Sequence, residues 1–170
     1  LFKAFGTLLV TALLFAAVPM NEVEAATLCV NPGGTDGCYT SIQAAEGAAS
    51  AGDIIVVADG TYDMTSEGAT AGQQGLINIY TQVTIMAEED GNGVRPVIDA
   101  TGVDGVFKIH HSEFFGGQVV IEGFELTGDP TVGIAITSAM CDSADPAAVI
   151  IQDNVFHGMI GGIDAWGTGF

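Results

Sequence analysis

The sequence predicts an all-β solenoid of stacked coils, closed at its N-terminal end by one short helix. Three observations carry this reading. First, Val120-Ile121-Glu122-Gly123-Phe124-Glu125-Leu126-Thr127-Gly128 aligns without a gap on Ile150-Ile151-Gln152-Asp153-Asn154-Val155-Phe156-His157-Gly158, and Gly133-Ile134-Ala135-Ile136 is echoed by Gly162-Ile163-Asp164-Ala165. A strand, a bend and a second strand that return together mark coils that stack. Second, the β-branched run Asp53-Ile54-Ile55-Val56-Val57-Ala58 precedes Ile85, which lies thirty residues after Ile55 and so keeps the same period. Third, 24 glycines with 48% hydrophobic and 14% charged residues suit strands joined by tight turns.

The chain begins with Lys3, an apolar run from Ala4 to Val18, Pro19, and small residues around Val23-Glu24-Ala25. That is the order of a secretory signal. The run is shorter than the ~20 residues needed to span a bilayer. Residues 1–25 are therefore expected to be a signal peptide cut after Ala25, and 26–170 a single solenoid domain with a cap at 26–52 and coils at 53–170. Removal of the signal leaves Arg95 and Lys108 as the basic residues of a strongly acidic chain. Nucleic acid and anionic membrane surfaces are excluded as partners, because phosphate binding needs clustered Lys and Arg. No stable membrane span is expected once the signal is gone. The acidity is read first as a solubility device and second as capacity for divalent cations.

Taken in order, Thr27 to Val30 reads as a first strand. Cys29 and Cys38 bracket the turn-rich Val-Asn-Pro-Gly-Gly-Thr-Asp-Gly, which brings their ends together. A disulfide there fits an oxidising compartment. Cys141 is left over, either buried and inert or paired outside this stretch. No CxxC suggests zinc. Thr40-Ser41-Ile42-Gln43 reads as a capping box, with Thr40 as cap and Gln43 reaching back. Ile42, Ala45 and Ala49 then share one face of a short helix that shields the first coil and hinders end-to-end pairing. Strands follow at 53–58, 61–62, 76–80, 82–87, 96–100 and 106–110. Met64 to Gly75 reads as an exposed excursion, and Thr137 to Ala148 as a loop inserted between coils. No polar cap is visible after Ile163, so the solenoid is expected to continue beyond Phe170.

Ser41-Ile42-Gln43-Ala44-Ala45, followed by Ala51-Gly52-Asp53-Ile54-Ile55-Val56-Val57-Ala58-Asp59-Gly60-Thr61-Tyr62, resembles the entry of the pectin-lyase-like superfamily. The repeats at Val119–Phe124 and Ile150–Phe156 look like its coils, and the resemblance runs from Ala26 to the end. It implies a right-handed parallel β-helix with apolar residues stacked inside, export, and a carbohydrate-rich setting. Lyases, glycoside hydrolases, adhesins and surface proteins share that fold, so it does not by itself assign function.

The resemblance to lyases implies an Arg or Lys base with calcium held by carboxylates, the cation stabilising a developing enolate. Only Arg95 and Lys108 fit the base. Arg95, beside Pro96 near a turn, reads more plainly as a surface residue paired with a nearby acid. Lys108, between Phe107 and Ile109, points away from the face they bury. A hydrolase needs two carboxylates across the bond to be cut. Asp142 and Asp145 lie in the insert, and Asp153 and Asp164 sit on successive parts of one coil. Glu88, Glu89, Asp90 and Asn92 are the best candidate for a calcium loop, against the plainer reading of a solvated acidic turn. His110, His111 and His157 are candidate metal or acid–base groups. Asn154 is expected to hydrogen-bond the backbone of the next coil. Tyr62, Tyr80 and Trp166 could stack on sugars but are scattered in sequence. The expectation is a secreted or cell-surface module that contacts polysaccharide or another surface. No cofactor is certain, calcium being the one candidate. The alternative is a polysaccharide lyase or glycoside hydrolase whose site lies mostly in later coils.

Overall fold

The computed structural model describes residues 24–89, 91, 93–110, 117–138 and 148–167. Its strands are β1 (Thr27–Val30), β2 (Ile54–Val57), β3 (Thr61–Asp63), β4 (Ile77–Ile79), β5 (Thr84–Ala87), β6 (Val97–Asp99), β7 (Gly105–His110), β8 (Gln118–Glu122), β9 (Glu125–Thr127), β10 (Val132–Ser138), β11 (Ala148–Gln152), β12 (Val155–Phe156) and β13 (Gly161–Gly167), with one α-helix, α1 (Ile42–Ala48). They form three sheets in the orders β1-β2-β5-β8-β11, β3-β6-β9-β12 and β4-β7-β10-β13. All pairings are parallel. From β2 onward the chain visits the first, second and third sheets in turn, four times over, and so winds a β-solenoid.

The sequence repeat is the ladder register. Val120, Ile121 and Glu122 pair with Ile150, Ile151 and Gln152, Glu125 and Leu126 with Val155 and Phe156, and Ile134 with Ile163. Ile55 pairs with Ile85. Because side chains alternate across a strand, this register stacks like on like inside the coil. Ile55, Ile85 and Ile121 form one fully buried column, Tyr62, Ile98 and Leu126 a second, and Ile77, Phe107 and Ile134 a third. Each such side chain contributes roughly 1.5–3 kcal/mol on leaving water. Ile163 continues the third column beyond Ile134 and is 53% exposed.

The bends between sheets depend on backbone that few residues adopt. Gly123, after β8, has φ +88°, and a Cβ there would come 2.8 Å from the Ala87 Cβ. In the following coil Asp153 takes the place of Gly123, and its φ of 52° keeps the left-handed turn.

The helix forms where expected, but its cap differs. Ser41 is the N-cap, and its Oγ accepts the Ala44 N–H at 3.1 Å. Gln43 therefore sits one residue too early to reach back as a capping box. It is recruited by β4 instead: its amide donates to the Asn78 carbonyl at 3.0 Å and accepts the Asn78 N–H at 2.7 Å. Ile42 and Ala45 are fully buried and Ala49 packs against the core.

The excursion from Met64 to Gly75 is not wholly exposed. Glu67 turns inward and accepts the Ile42 and Gln43 N–H groups, at 3.0 and 2.8 Å, on its two oxygens. The disulfide joins Cys29 to Cys38, with their Cα atoms 4.7 Å apart. Cys141 lies outside the described residues, as do most of the signal segment and the insert up to residue 147. β10 runs to Ser138, so the strand enters what reads in sequence as the start of that insert. Among the described residues no helix is long and apolar enough to cross a membrane.

Candidate functional site

Two outer regions gather the residues singled out in the sequence. The first is a groove of about 350 Å³ beside the bends that follow β5, β8 and β11, lined by Met86, Glu88, Glu89, Arg95, Glu122 and Asp153 among others. Arg95 stands before β6. Its guanidinium meets the Asp153 carboxylate at 2.8 Å and also donates to the Asp153 main-chain carbonyl. Both terminal nitrogens are thereby used, which is the surface ion pair expected as the plainer reading of Arg95. A guanidinium whose two terminal nitrogens both donate to one residue is poorly placed to act as a base. Next to this pair, the Asn154 amide donates to the Ile121 and Gln152 carbonyls at 2.8 and 2.9 Å and accepts the Phe124 N–H at 3.0 Å. Asn154 thus ties the bend to a neighbouring coil, as expected, although that coil is the preceding one.

Of the candidate calcium loop, Glu88 and Glu89 line this groove, whereas Asp90 and Asn92 lie outside the described residues. Among the described residues no three His, Cys, Asp or Glu side chains gather closely enough to hold a metal ion.

The second region is the outer face of the third sheet. Lys108 pairs in register with Asn78 on one side and Ala135 on the other, and Ala135 with Asp164. Two residues further along, His110 pairs with Thr137, and Thr137 with Trp166. The Lys108 ammonium donates to the Gln74 side-chain carbonyl. Gly75 is required beside it, since a Cβ there would come 2.6 Å from the Lys108 Cβ. The His110 ring stacks on Tyr80, with centroids 4.2 Å apart and planes 14° apart, and its Nε2 lies 3.3 Å from the Asn78 Oδ1. Tyr80 is 52% exposed. Tyr80 and His110, thirty residues apart in sequence, therefore meet on neighbouring coils, and Trp166 stands two coils beyond His110, across Thr137, on the same sheet.

The other candidates do not join them. Tyr62 is fully buried, with its hydroxyl donating to the Ala58 carbonyl at 2.9 Å. It is a core residue and not part of a sugar platform. Burial, reinforced by Glu67, Asp59 and Glu88, raises the phenol pKa well above its ordinary range. His157 is exposed, 3.7 Å from a Glu125 oxygen. Asp153 stands at a bend after the first sheet and Asp164 on the third sheet, so they make no catalytic pair. Asp142, Asp145 and His111 lie outside the described residues.

Sequence reasoning missed the carboxylates that hold the cap. Glu46 is buried and accepts the Tyr80 and Thr81 N–H groups at 2.7 and 2.9 Å. Glu67 is buried beneath α1, where desolvation raises its pKa despite the opposing Gln43 and Ile42 donors. One signal was readable: Glu46 lies four residues after Ile42, on the buried face of the helix. Asp63 shows the opposite shift. Its carboxyl is lowered chiefly by the Ser66 main-chain N–H, in a turn exposed to water.

No protein-family model, no curated protein and no solved structure matches the chain. The chemistry must be argued from the two surfaces. The groove offers carboxylates and one guanidinium already neutralised. The third sheet offers an ammonium held by a neutral amide, an imidazole, a phenol and side-chain amides, arranged along the stacking direction.

Proposed function

We propose that this chain is a secreted or cell-surface parallel β-helix module of the pectin-lyase-like kind, and that it lays the outer face of its third sheet against polysaccharide. One observation carries the reading: the register sets Asn78 beside Lys108 in one row, continued across Ala135 by Asp164, and Tyr80 stacks on His110 in the next row, continued by Thr137. Neighbouring coils stand about 4.8 Å apart, so the rows form a linear polar and aromatic tract suited to an extended polymer. Aromatic rings provide apolar area with a polar tip, and the amides and ammonium provide directional hydrogen bonds. Calcium held by Glu88, Glu89, Asp90 and Asn92 would reduce the negative charge of the neighbouring groove. A calcium-dependent rise in Tm, reversed by chelator, tests that part.

Affinity electrophoresis against a panel of neutral and acidic polysaccharides tests the main reading. Retardation by at least one polymer, weakened by Tyr80→Ala and Lys108→Ala but kept by Arg95→Ala, is the expected result. Absence of retardation across the panel, or retardation indifferent to both third-sheet substitutions, overturns it.

A second reading, a polysaccharide lyase, draws on Lys108 and His110 sharing this exposed face, where a neutral imidazole or a deprotonated amine could take a proton from a bound sugar. Release of unsaturated products, followed by ultraviolet absorbance with and without calcium, distinguishes cleavage from binding alone.

A further inference from the structure

We propose that removal of the signal peptide creates an ion pair that locks the first strand onto the solenoid: the new α-ammonium of Ala26 is received by Asp53. The proposal rests on the reading of residues 1–25 as a cleaved signal. The receiving geometry is independent of it. Asp53 is buried, 7% exposed, at the start of the first full coil. One of its oxygens accepts the Ala26 N–H at 2.8 Å, and the other accepts the Ser50 N–H at 2.7 Å. The Ala26 carbonyl in turn accepts the Ile54 N–H at 2.9 Å. Ala26 is thus fixed on both sides directly before β1, which pairs along its whole length with β2.

Residues 24–26 are exposed, so the Ala25–Ala26 bond can be approached by a peptidase. Its hydrolysis consumes one water and leaves a carboxylate on Ala25 and an ammonium on Ala26. The nitrogen that had donated a single amide hydrogen then carries three hydrogens and a full positive charge, at the same distance from a carboxylate that is largely shielded from water. A charge-assisted hydrogen bond is shorter and about twice as strong as the neutral one it replaces. In the uncleaved chain the carboxylate already has two amide donors, so the new charge adds attraction at a contact buried on the Asp53 side alone. No Lys or Arg in the described chain takes this role, because Arg95 is bound to Asp153 and Lys108 to Gln74. Export and final stability are then linked through one bond.

The test compares four forms of the mature chain: one beginning with a free Ala26 amine, the same chain acetylated at that amine, and Asp53→Asn with a free and with an acetylated amine. The free-amine chain should melt higher than the acetylated chain by roughly 2–4 °C, and the difference should vanish in the Asp53→Asn background. Equal melting of the free and acetylated chains overturns the ion pair, as does a difference that survives Asp53→Asn. The acetylated form keeps every side chain, so the comparison stands even if Asp53→Asn folds poorly. N-terminal sequencing of the exported protein separately tests the signal reading. A start other than Ala26 overturns the processing step, whatever the melting data show for the pair itself.

Discussion

Arg95 reaches past an intervening coil to grip Asp153. Arg95 precedes β6 in the second full coil, and Asp153 follows β11 in the fourth. Between them the third coil turns at Gly123, which has no side chain to obstruct the bridge. The acceptor is itself unusual, because Asp153 holds a left-handed φ of 52°, a conformation that costs an L-residue roughly 1–2 kcal/mol. Asp153→Ala loses the ion pair and keeps the backbone cost. Asp153→Gly loses the same pair and relieves that cost. Urea unfolding should therefore rank Asp153→Gly above Asp153→Ala in stability by about 1 kcal/mol. Arg95→Ala should cost only about 0.5–1 kcal/mol, since both partners remain partly in water. A glycine variant no more stable than the alanine variant would refute the account of the turn.

Glu67 gives the fold a pH dependence of the less common sign. Burial raises its carboxyl pKa from 4.5 and outweighs the two N–H groups that favour the charged form. The folded state therefore holds the proton more tightly than the unfolded chain. The associated stability is fully present below pH 4.5 and is lost as pH rises through the raised value. Glu67→Gln cannot titrate and should flatten this part of the stability curve when urea midpoints are compared between pH 4 and neutrality. Glu67→Ala should cost about 2 kcal/mol near pH 4, because it leaves the Ile42 and Gln43 N–H groups without their acceptors, and less towards neutrality, where the wild type has lost its pH-dependent part. Identical pH profiles for wild type and Glu67→Gln would exclude Glu67 as the source.

The coils were legible in the sequence because each inward column repeats at nearly fixed spacing. Ile55 with Ile85, and Ile121 with Ile151, are ladder partners that a plain alignment pairs correctly. The outer face was not legible for the same reason. Outward residues need not repeat, so Tyr80 and His110 became neighbours only through the fold, and Trp166 shares their sheet two coils further on. The cap was half legible. The apolar face of α1 shows in Ile42, Ala45 and Ala49, but Gln43 and Glu46 act on strand residues 34 or 35 positions away. No local motif encodes such a contact.

The Cys29–Cys38 bridge closes the turn that returns the chain from β1 towards α1. Just beyond it the Tyr39 main-chain N–H donates to the Cys29 carbonyl at 2.8 Å, and the Tyr39 carbonyl accepts the Asn31 N–H at 3.0 Å. Cross-linking a loop of this length restricts the unfolded chain by about 2–3 kcal/mol. Cys29→Ala/Cys38→Ala should lose that much in urea unfolding. Peptide mapping without reductant should recover the two cysteines in one linked fragment. Recovery of both as free thiols from exported protein would remove the bridge from the account of stability.

Gln43 and Glu46 together act as a substitute strand along the outer edge of β4. The Gln43 amide gives Asn78 one donor and one acceptor, as a neighbouring peptide group would, and Glu46 accepts the next two N–H groups, from Tyr80 and Thr81. An edge with its polar groups occupied cannot recruit another chain's strand. Gln43→Leu keeps most of the side-chain volume but removes both bonds, and should lower stability by about 1–2 kcal/mol. Its more specific effect is on association. The freed Asn78 groups become available to other chains, so Gln43→Leu should scatter more light at high concentration under conditions where it remains folded. Gln43→Glu separates the two roles: it retains an acceptor for the Asn78 N–H, loses the donor to its carbonyl, and adds charge at the edge. It should be destabilised as well, yet remain dispersed. If Gln43→Leu loses stability without associating more than wild type, the side chain is a structural tie and has no protective role at the edge.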